Sequence, residues 1–294
     1  MTQFLPWMAL IYMAIVWGLS FSVAKLAVDL GGAPIGISFW SSAISGVCLL
    51  LYTWLRGRRL NFNRKDLKFF FLISMLGGVI PSVCFYYAAR HVPAGVLAIT
   101  VTIVPIATYG LSLLLKLENL SARRVTGILF GCAGIILLVM PDDSLSDRKE
   151  ILWIVVACIS SISFAIENVA IAVRSLDGIG PIRLSCGVSL LAALILGIIG
   201  LLTNNLFVIT FPFDELSWAI ILISIINVTA YTLFVFTIAN SGPLFASQVG
   251  FLVTLSGIFW GVFLFGEQHS SWVWGSLITM LIGLMLVSPR HKAK

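Results

Sequence analysis

LKLENLSARRVTGILFGCAGIILLVMP at residues 115–141 and LFGEQHSSWVWGSLITMLIGLMLVSP at residues 264–289 read as two copies of one segment. Glu118 falls over Glu267, Gly127 over Gly275, Gly134 over Gly283 and Pro141 over Pro289, at offsets of 148 or 149 residues. Working outward, Pro93 and Pro243 each open the apolar run that precedes the segment. Further back, GLSFSVAK at 18–25 lies over SISFAIEN at 161–168, setting Phe21 over Phe164 at an offset of 143. An ordered series of matches along both halves is the signature of an internal repeat.

The repeat is built from apolar runs. Sixty per cent of the 294 residues are hydrophobic, 10% are charged, and the mean hydropathy is +1.07. A soluble domain carries roughly 25% charged residues, so the solvent for this surface is lipid. A helical span takes about 20 apolar residues. Ten such runs are expected, at 5–29, 34–55, 67–89, 93–115, 122–140, 151–173, 182–203, 216–239, 243–266 and 271–288. They are too long for membrane β-strands and lack strict alternation. The predicted class is therefore all-α integral membrane, with residues 1–141 and 151–289 as five-helix repeats and 290–294 as a basic cytoplasmic tail. Five crossings are an odd number, so the second copy is inverted, as in secondary transporters.

Orientation follows from Lys and Arg. With a cytoplasmic N-terminus, 14 of the 18 basic residues fall in inside loops or the tail, and Lys25, Arg90, Arg148 and Lys149 remain outside. The positive-inside rule then puts both termini in the cytoplasm. The net charge of +6 is spread over short loops, which argues against the contiguous basic surface that nucleic acid requires. The five cysteines sit in apolar runs without a CxxC and read as small buried hydrophobes. The first run is too long for a signal-peptide core and is expected to stay as the first span.

The residues WGLSFSVAK at 17–25, with a Glu closing a span ahead of a Gly-rich final span at Glu118 and again at Glu267, resemble the EamA-type module of the drug/metabolite transporter superfamily. The likeness runs over essentially the whole chain as two modules. It implies ten helices around a central cavity lined chiefly by the first, third, fourth, sixth, eighth and ninth spans. Many members carry a proline within the ninth span; the fourth span here has Pro105, whereas the aligned ninth-span position is Leu255.

Ionisable side chains within spans are costly and mark function by default. Lys25 on the first span shares a face with Gly18, Phe21 and Ser22, and Glu167 on the sixth shares one with Ser160, Ser163 and Phe164. Trp17, Phe21 and Lys25 are expected on one wall of the cavity, facing Phe164, Glu167 and Asn168 on the other, where a cation and a carboxylate would suit a zwitterion. The competing readings are snorkelling for Lys25 and an interhelical hydrogen bond for Glu167. Glu167 is also the proton-coupling candidate, because charge is costly at membrane depth. Asn227, Tyr231 and Gln248 fall on spans that the resemblance places around the cavity, although polar side chains in membranes also hold helices together. Pro81 after Gly77-Gly78, and Pro105, are expected to interrupt the third and fourth spans.

Catalytic residues, metal ligands and cofactors are not expected. There is no HExxH, no carboxylate cluster and no GxxxxGK[ST], which excludes primary ATP-driven transport by this chain alone. No charged ring or filter-like loop points to a channel. The expected function is secondary transport of small metabolites by alternating access, with export of amino acids or related compounds favoured by the resemblance over sugars, nucleotides or drug-like solutes. The expected partners are a small-molecule substrate and the lipid bilayer of the bacterial inner membrane, with the chain as a monomer or homodimer.

Overall fold

The computed structural model describes residues 5–56, 64–91, 97–98, 100–101, 103–139, 148–174, 179–209, 211–265 and 271–287. Among these residues every regular element is helical: α1 (Leu5–Asp29), α2 (Pro34–Leu55), α3 (Arg64–Ile73), a π-helical turn (Ser74–Val79), α4 (Ile80–Ala89), α5 (Ile103–Leu114), α6 (Ala122–Val139), α7 (Arg148–Arg174), α8 (Pro181–Leu202), α9 (Glu215–Ser241), α10 (Pro243–Ser247), α11 (Val249–Phe265) and α12 (Ser271–Leu286). Among the described residues seven helical stretches are long and apolar enough to cross a membrane, and Ile103–Leu114 is a shorter apolar helix. Glu267, Pro93, Pro141, Pro289, most of the 142–150 segment and the 290–294 tail lie outside the described residues.

Glycine and proline set two of the chain reversals. Gly180 and Gly242 take φ of 68° and 90°, a region open to residues without a Cβ. Each is followed at once by a proline, Pro181 or Pro243, at the first position of the next helix, where a missing N–H costs nothing.

Packing between the halves is reciprocal. α1 lies against α9 and α11, while α7 lies against α4 and α5; α2 packs on α8, and α6 on α12. The α6–α12 contact is close enough that a Cβ on Gly127 would sit 2.8 Å from the Gly283 carbonyl, and one on Gly283 would sit 2.6 Å from the Gly127 carbonyl. Small residues let backbones approach in this way where lipid supplies no hydrophobic drive between helices. Side chains add cross-links to backbone: Trp40 Nε1 donates to Phe207 O at 2.8 Å, Ser45 Oγ to Ser224 O at 3.1 Å and Thr254 Oγ1 to Ala98 O at 2.8 Å. Trp54, Leu114, Leu202 and Phe263 are among the large apolar side chains left exposed on the outside of the bundle.

Candidate functional site

The site begins with Pro81. A proline has no N–H, so the carbonyls of the preceding turn lose a donor. Here the helix widens into the π turn at Ser74–Val79, and the Ile80 amide donates to Met75 O, five residues back. That arrangement leaves Leu76 O unclaimed by its own helix, and Ser163 Oγ of α7 donates to it at 2.8 Å. One helical turn further along α7 comes Glu167. Its carboxylate lies over Gly77, where a Cβ would run into it. A π turn in a helix is frequently a functional device, and in this chain it docks α7 and makes room for a carboxylate.

Glu167 is fully buried. Tyr231 Oη, from α9, donates to Glu167 Oε1, and Glu167 Oε2 has no hydrogen-bond partner. Among the described residues no Lys, Arg or His pairs with this carboxylate.

Glu167 stands in the wall of a cavity of about 220 Å³. At about 30 Å³ for each water in the liquid, that volume corresponds to roughly seven waters, which suits a small metabolite. Rings form much of the wall: Trp17 meets Phe234 edge-on at 5.4 Å, and Phe21 meets Phe85 edge-on at 5.3 Å. Both halves contribute. The matched residues Phe21 and Phe164 both line the cavity, and so do Thr100, Val101 and Val104 of one segment and Ser247, Val249, Gly250 and Val253 of another. Those two segments share a backbone irregularity. Val101 N donates to Ala98 O and Val104 N to Val101 O, each three residues back; Gln248 N donates to Phe245 O and Phe251 N to Gln248 O in the same pattern.

Of the residues singled out from the sequence, Trp17, Phe21, Phe164, Glu167, Asn227 and Tyr231 line this cavity. Lys25 does not join them. Its ammonium is 2.6 Å from Asp29 Oδ1, one turn along α1, in a pair that is 27% and 54% exposed. The lining face of α1 is Trp17, Ser20, Phe21 and Ala24, and at about 100° per residue Lys25 points roughly a quarter-turn away. The expected opposition of Lys25 and Glu167 across the cavity is corrected accordingly. Asn168 and Gln248 are buried but turn elsewhere: Asn168 Nδ2 donates to Thr108 Oγ1 at 3.3 Å, and Gln248 Nε2 to Leu244 O at 3.2 Å.

The sequence reading missed the second helix of each half. Ser41, Ser42 and Ser45 of α2, and Ser189 of α8, line the cavity. The helical spacing of Ser38, Ser41, Ser42 and Ser45 was a signal, obscured because serine is also a common helix-packing residue in membranes.

A family model described as the EamA-like transporter family matches residues 5–140 and again 151–288. An uncharacterized transporter of Archaeoglobus fulgidus is 25% identical over 136 residues, which are 46% of this chain and 48% of that protein, so the alignment spans about half the length of the relative. One crystal structure superposes with a TM-score of 0.74 over 94% of each chain at 14% identity. At that identity the likeness is one of fold alone.

Proposed function

The chain belongs to the EamA-like transporter family, and on that premise we propose that it is a secondary transporter exporting amino acids or related compounds by alternating access. The observation that carries this reading is the buried, cation-free carboxylate of Glu167 in the wall of a cavity built by both halves. A structural carboxylate at membrane depth is expected to be paired; one without a cationic partner in the wall of a cavity is placed to meet a ligand or a proton.

Alternating access by an inverted repeat requires two halves that can exchange roles. The reciprocal packing of α1 and α7 supports that arrangement, as does the shared backbone irregularity at Val101 and Gln248. So does the meeting of the first glycine of one copy, Gly127, with the second of the other, Gly283. We count ten spans, adding the segments at 93–115, 122–140 and 271–288 to the seven longer ones, in the inner membrane with both termini cytoplasmic. In this reading Glu167 also takes up and releases the coupling proton. Tyr231 is the titratable side chain bonded to it, and Gly77 of the π turn brings no charge.

A metabolite-resolved screen of efflux and uptake, in cells with and without the protein, tests the function. A solute whose efflux depends on the protein is the expected result, and no difference for any solute overturns it. In vesicles, Glu167→Gln is expected to retain exchange only at high solute concentration while losing the response to an imposed pH gradient. Wild-type transport that ignores the gradient leaves Glu167 with a binding role only.

A further inference from the structure

The wall of the cavity is chemically one-sided. Among the described residues its charged side chain is Glu167, and no Lys, Arg or His lines it. The cations of the neighbouring helices are engaged elsewhere. Lys25 pairs with Asp29, Arg90 Nη2 donates to Gly32 O at 3.3 Å, and Arg174 and Arg183 both reach Asp66. A buried carboxylate without a counter-ion costs several kcal/mol in its charged form, and either a proton or a cationic ligand removes that cost.

The hydroxyls point the same way. Ser20 Oγ donates to Trp17 O at 2.7 Å, Ser45 Oγ to Ser224 O at 3.1 Å, Thr100 Oγ1 to Leu97 O at 2.8 Å and Ser247 Oγ to Leu244 O at 2.8 Å. A hydroxyl has one hydrogen to give and two lone pairs. With the hydrogen spent on the main chain, each of these hydroxyls, all on residues that line the cavity, has only lone pairs left to offer. Glu167 Oε2 is an acceptor as well. An ammonium group is the complement of such a surface, since it has three donors and no acceptor. The rings of Trp17, Phe21, Phe85, Phe164 and Phe234 line the cavity and suit an apolar body, and an aromatic face attracts a cation. A ligand carboxylate finds the reverse: no Lys, Arg or His in the wall among the described residues, and a like charge at Glu167.

We propose that the solute is a monocationic organic amine with an aromatic or branched apolar body, bound amine-first at Glu167, in preference to the zwitterionic amino acid of the same skeleton. This rests on the reading of the cavity as the transport site, and narrows the proposed amino acids or related compounds to the related amines. It makes Glu167 the residue that discriminates amine from amino acid.

The test uses the full-length protein in lipid nanodiscs and three probes with one ring: 2-phenylethylamine, L-phenylalanine and 3-phenylpropionate. Binding is followed by intrinsic tryptophan fluorescence and by calorimetry. The amine is expected to bind, the amino acid at least roughly tenfold more weakly, and the acid not measurably. Glu167→Gln is expected to weaken amine binding roughly tenfold to a hundredfold, the range for a lost charge-assisted hydrogen bond, and Glu167→Asp to keep part of it. Amino-acid binding equal to or tighter than amine binding overturns the proposal, and so does an amine that fails to bind or binds the Gln variant unchanged. If the Gln variant does not fold, the wild-type comparison of the three probes decides alone. Transport itself is decided separately by the efflux screen: protein-dependent export of an acid or sugar, with no amine bound, sinks the amine reading and leaves transport standing.

Discussion

At the scale of the residue, Glu167 and Gly77 act as a pair. The carboxylate occupies the space a side chain at position 77 would fill, so Gly77→Ala must displace it or spread α4 from α7. Overpacking of this kind costs about 1–3 kcal/mol. The variant is expected to insert and purify but to lose most of its transport. Wild-type rates from it would show that the carboxylate has room to move without consequence. Lys25 gives the opposite expectation. Its ion pair with Asp29 is partly exposed, and such pairs contribute about 0–1 kcal/mol. Lys25→Ala is therefore expected to transport within about twofold of wild type, given that small stake. A large loss would mean that Lys25 reaches the solute in another state of the cycle.

At the scale of the element, the π turn at Ser74–Val79 is the device that places the site. Pro81→Ala supplies the missing N–H, lets the turn close into ordinary α-helix, and competes with Ser163 for the carbonyls of that turn. Removing a proline from a helix interior relieves up to about 3 kcal/mol, so thermal stability in detergent is expected to hold or rise while transport falls several-fold. Unchanged transport would show that the docking of α7 does not depend on the widened turn. Helix α9 starts differently. Asp214 caps it by accepting from Ser217 N at 2.8 Å, and bonds from the Ser217 hydroxyl and amide hold its carboxyl below the usual value. A carboxyl with a depressed pKa adds stability above its unfolded pKa and loses it as pH falls through the folded one. Asp214→Asn is expected to flatten the acid limb of the stability profile slightly and to leave the neutral range alone.

At the scale of the whole molecule, the two ends of the bundle are cross-linked by different chemistry. At one end Asp66 at the start of α3 reaches Arg174 of α7 at 2.8 Å and Arg183 of α8 at 3.1 Å, with Arg174 also over the Phe69 ring at 5.0 Å. At the other, Asp214 is used within its own helix, and the halves meet through Trp40 and the Phe207 carbonyl. Ion pairs between halves must part if that end is to open, so Asp66→Asn is expected to speed labelling of a cysteine placed at Ser161 on the cavity wall. An unchanged labelling rate would reduce the cluster to surface pairing. Topology is checked in a cysteine-free background: an impermeant thiol reagent applied outside is expected to modify Ser144→Cys and not Asn63→Cys, and the reverse pattern overturns the proposed orientation.

What the sequence determined by itself is what composition and backbone chemistry dictate. A charge content of 10% requires lipid as solvent, lipid requires every backbone group to be bonded within the protein and so favours helices, and Gly-Pro steps start α8 and α10 where they stand. The Glu and Gly matches were enough to identify the family. Pro81 announced an interrupted helix, though not that the interruption would take the form of a π turn gripping Ser163. Only the tertiary structure decided which side of each helix looks inward. In water a polar face marks the outside, but lipid and helix–helix contact are equally apolar, so periodicity along α1 does not separate the wall of Trp17, Phe21 and Ala24 from the edge that carries Lys25. The partners of the buried polar groups were hidden for the same reason. Tyr231 stands 64 positions from Glu167, and Thr108 stands 60 from Asn168; packing of α7 against α9 and α5, not any local signal, brings them together.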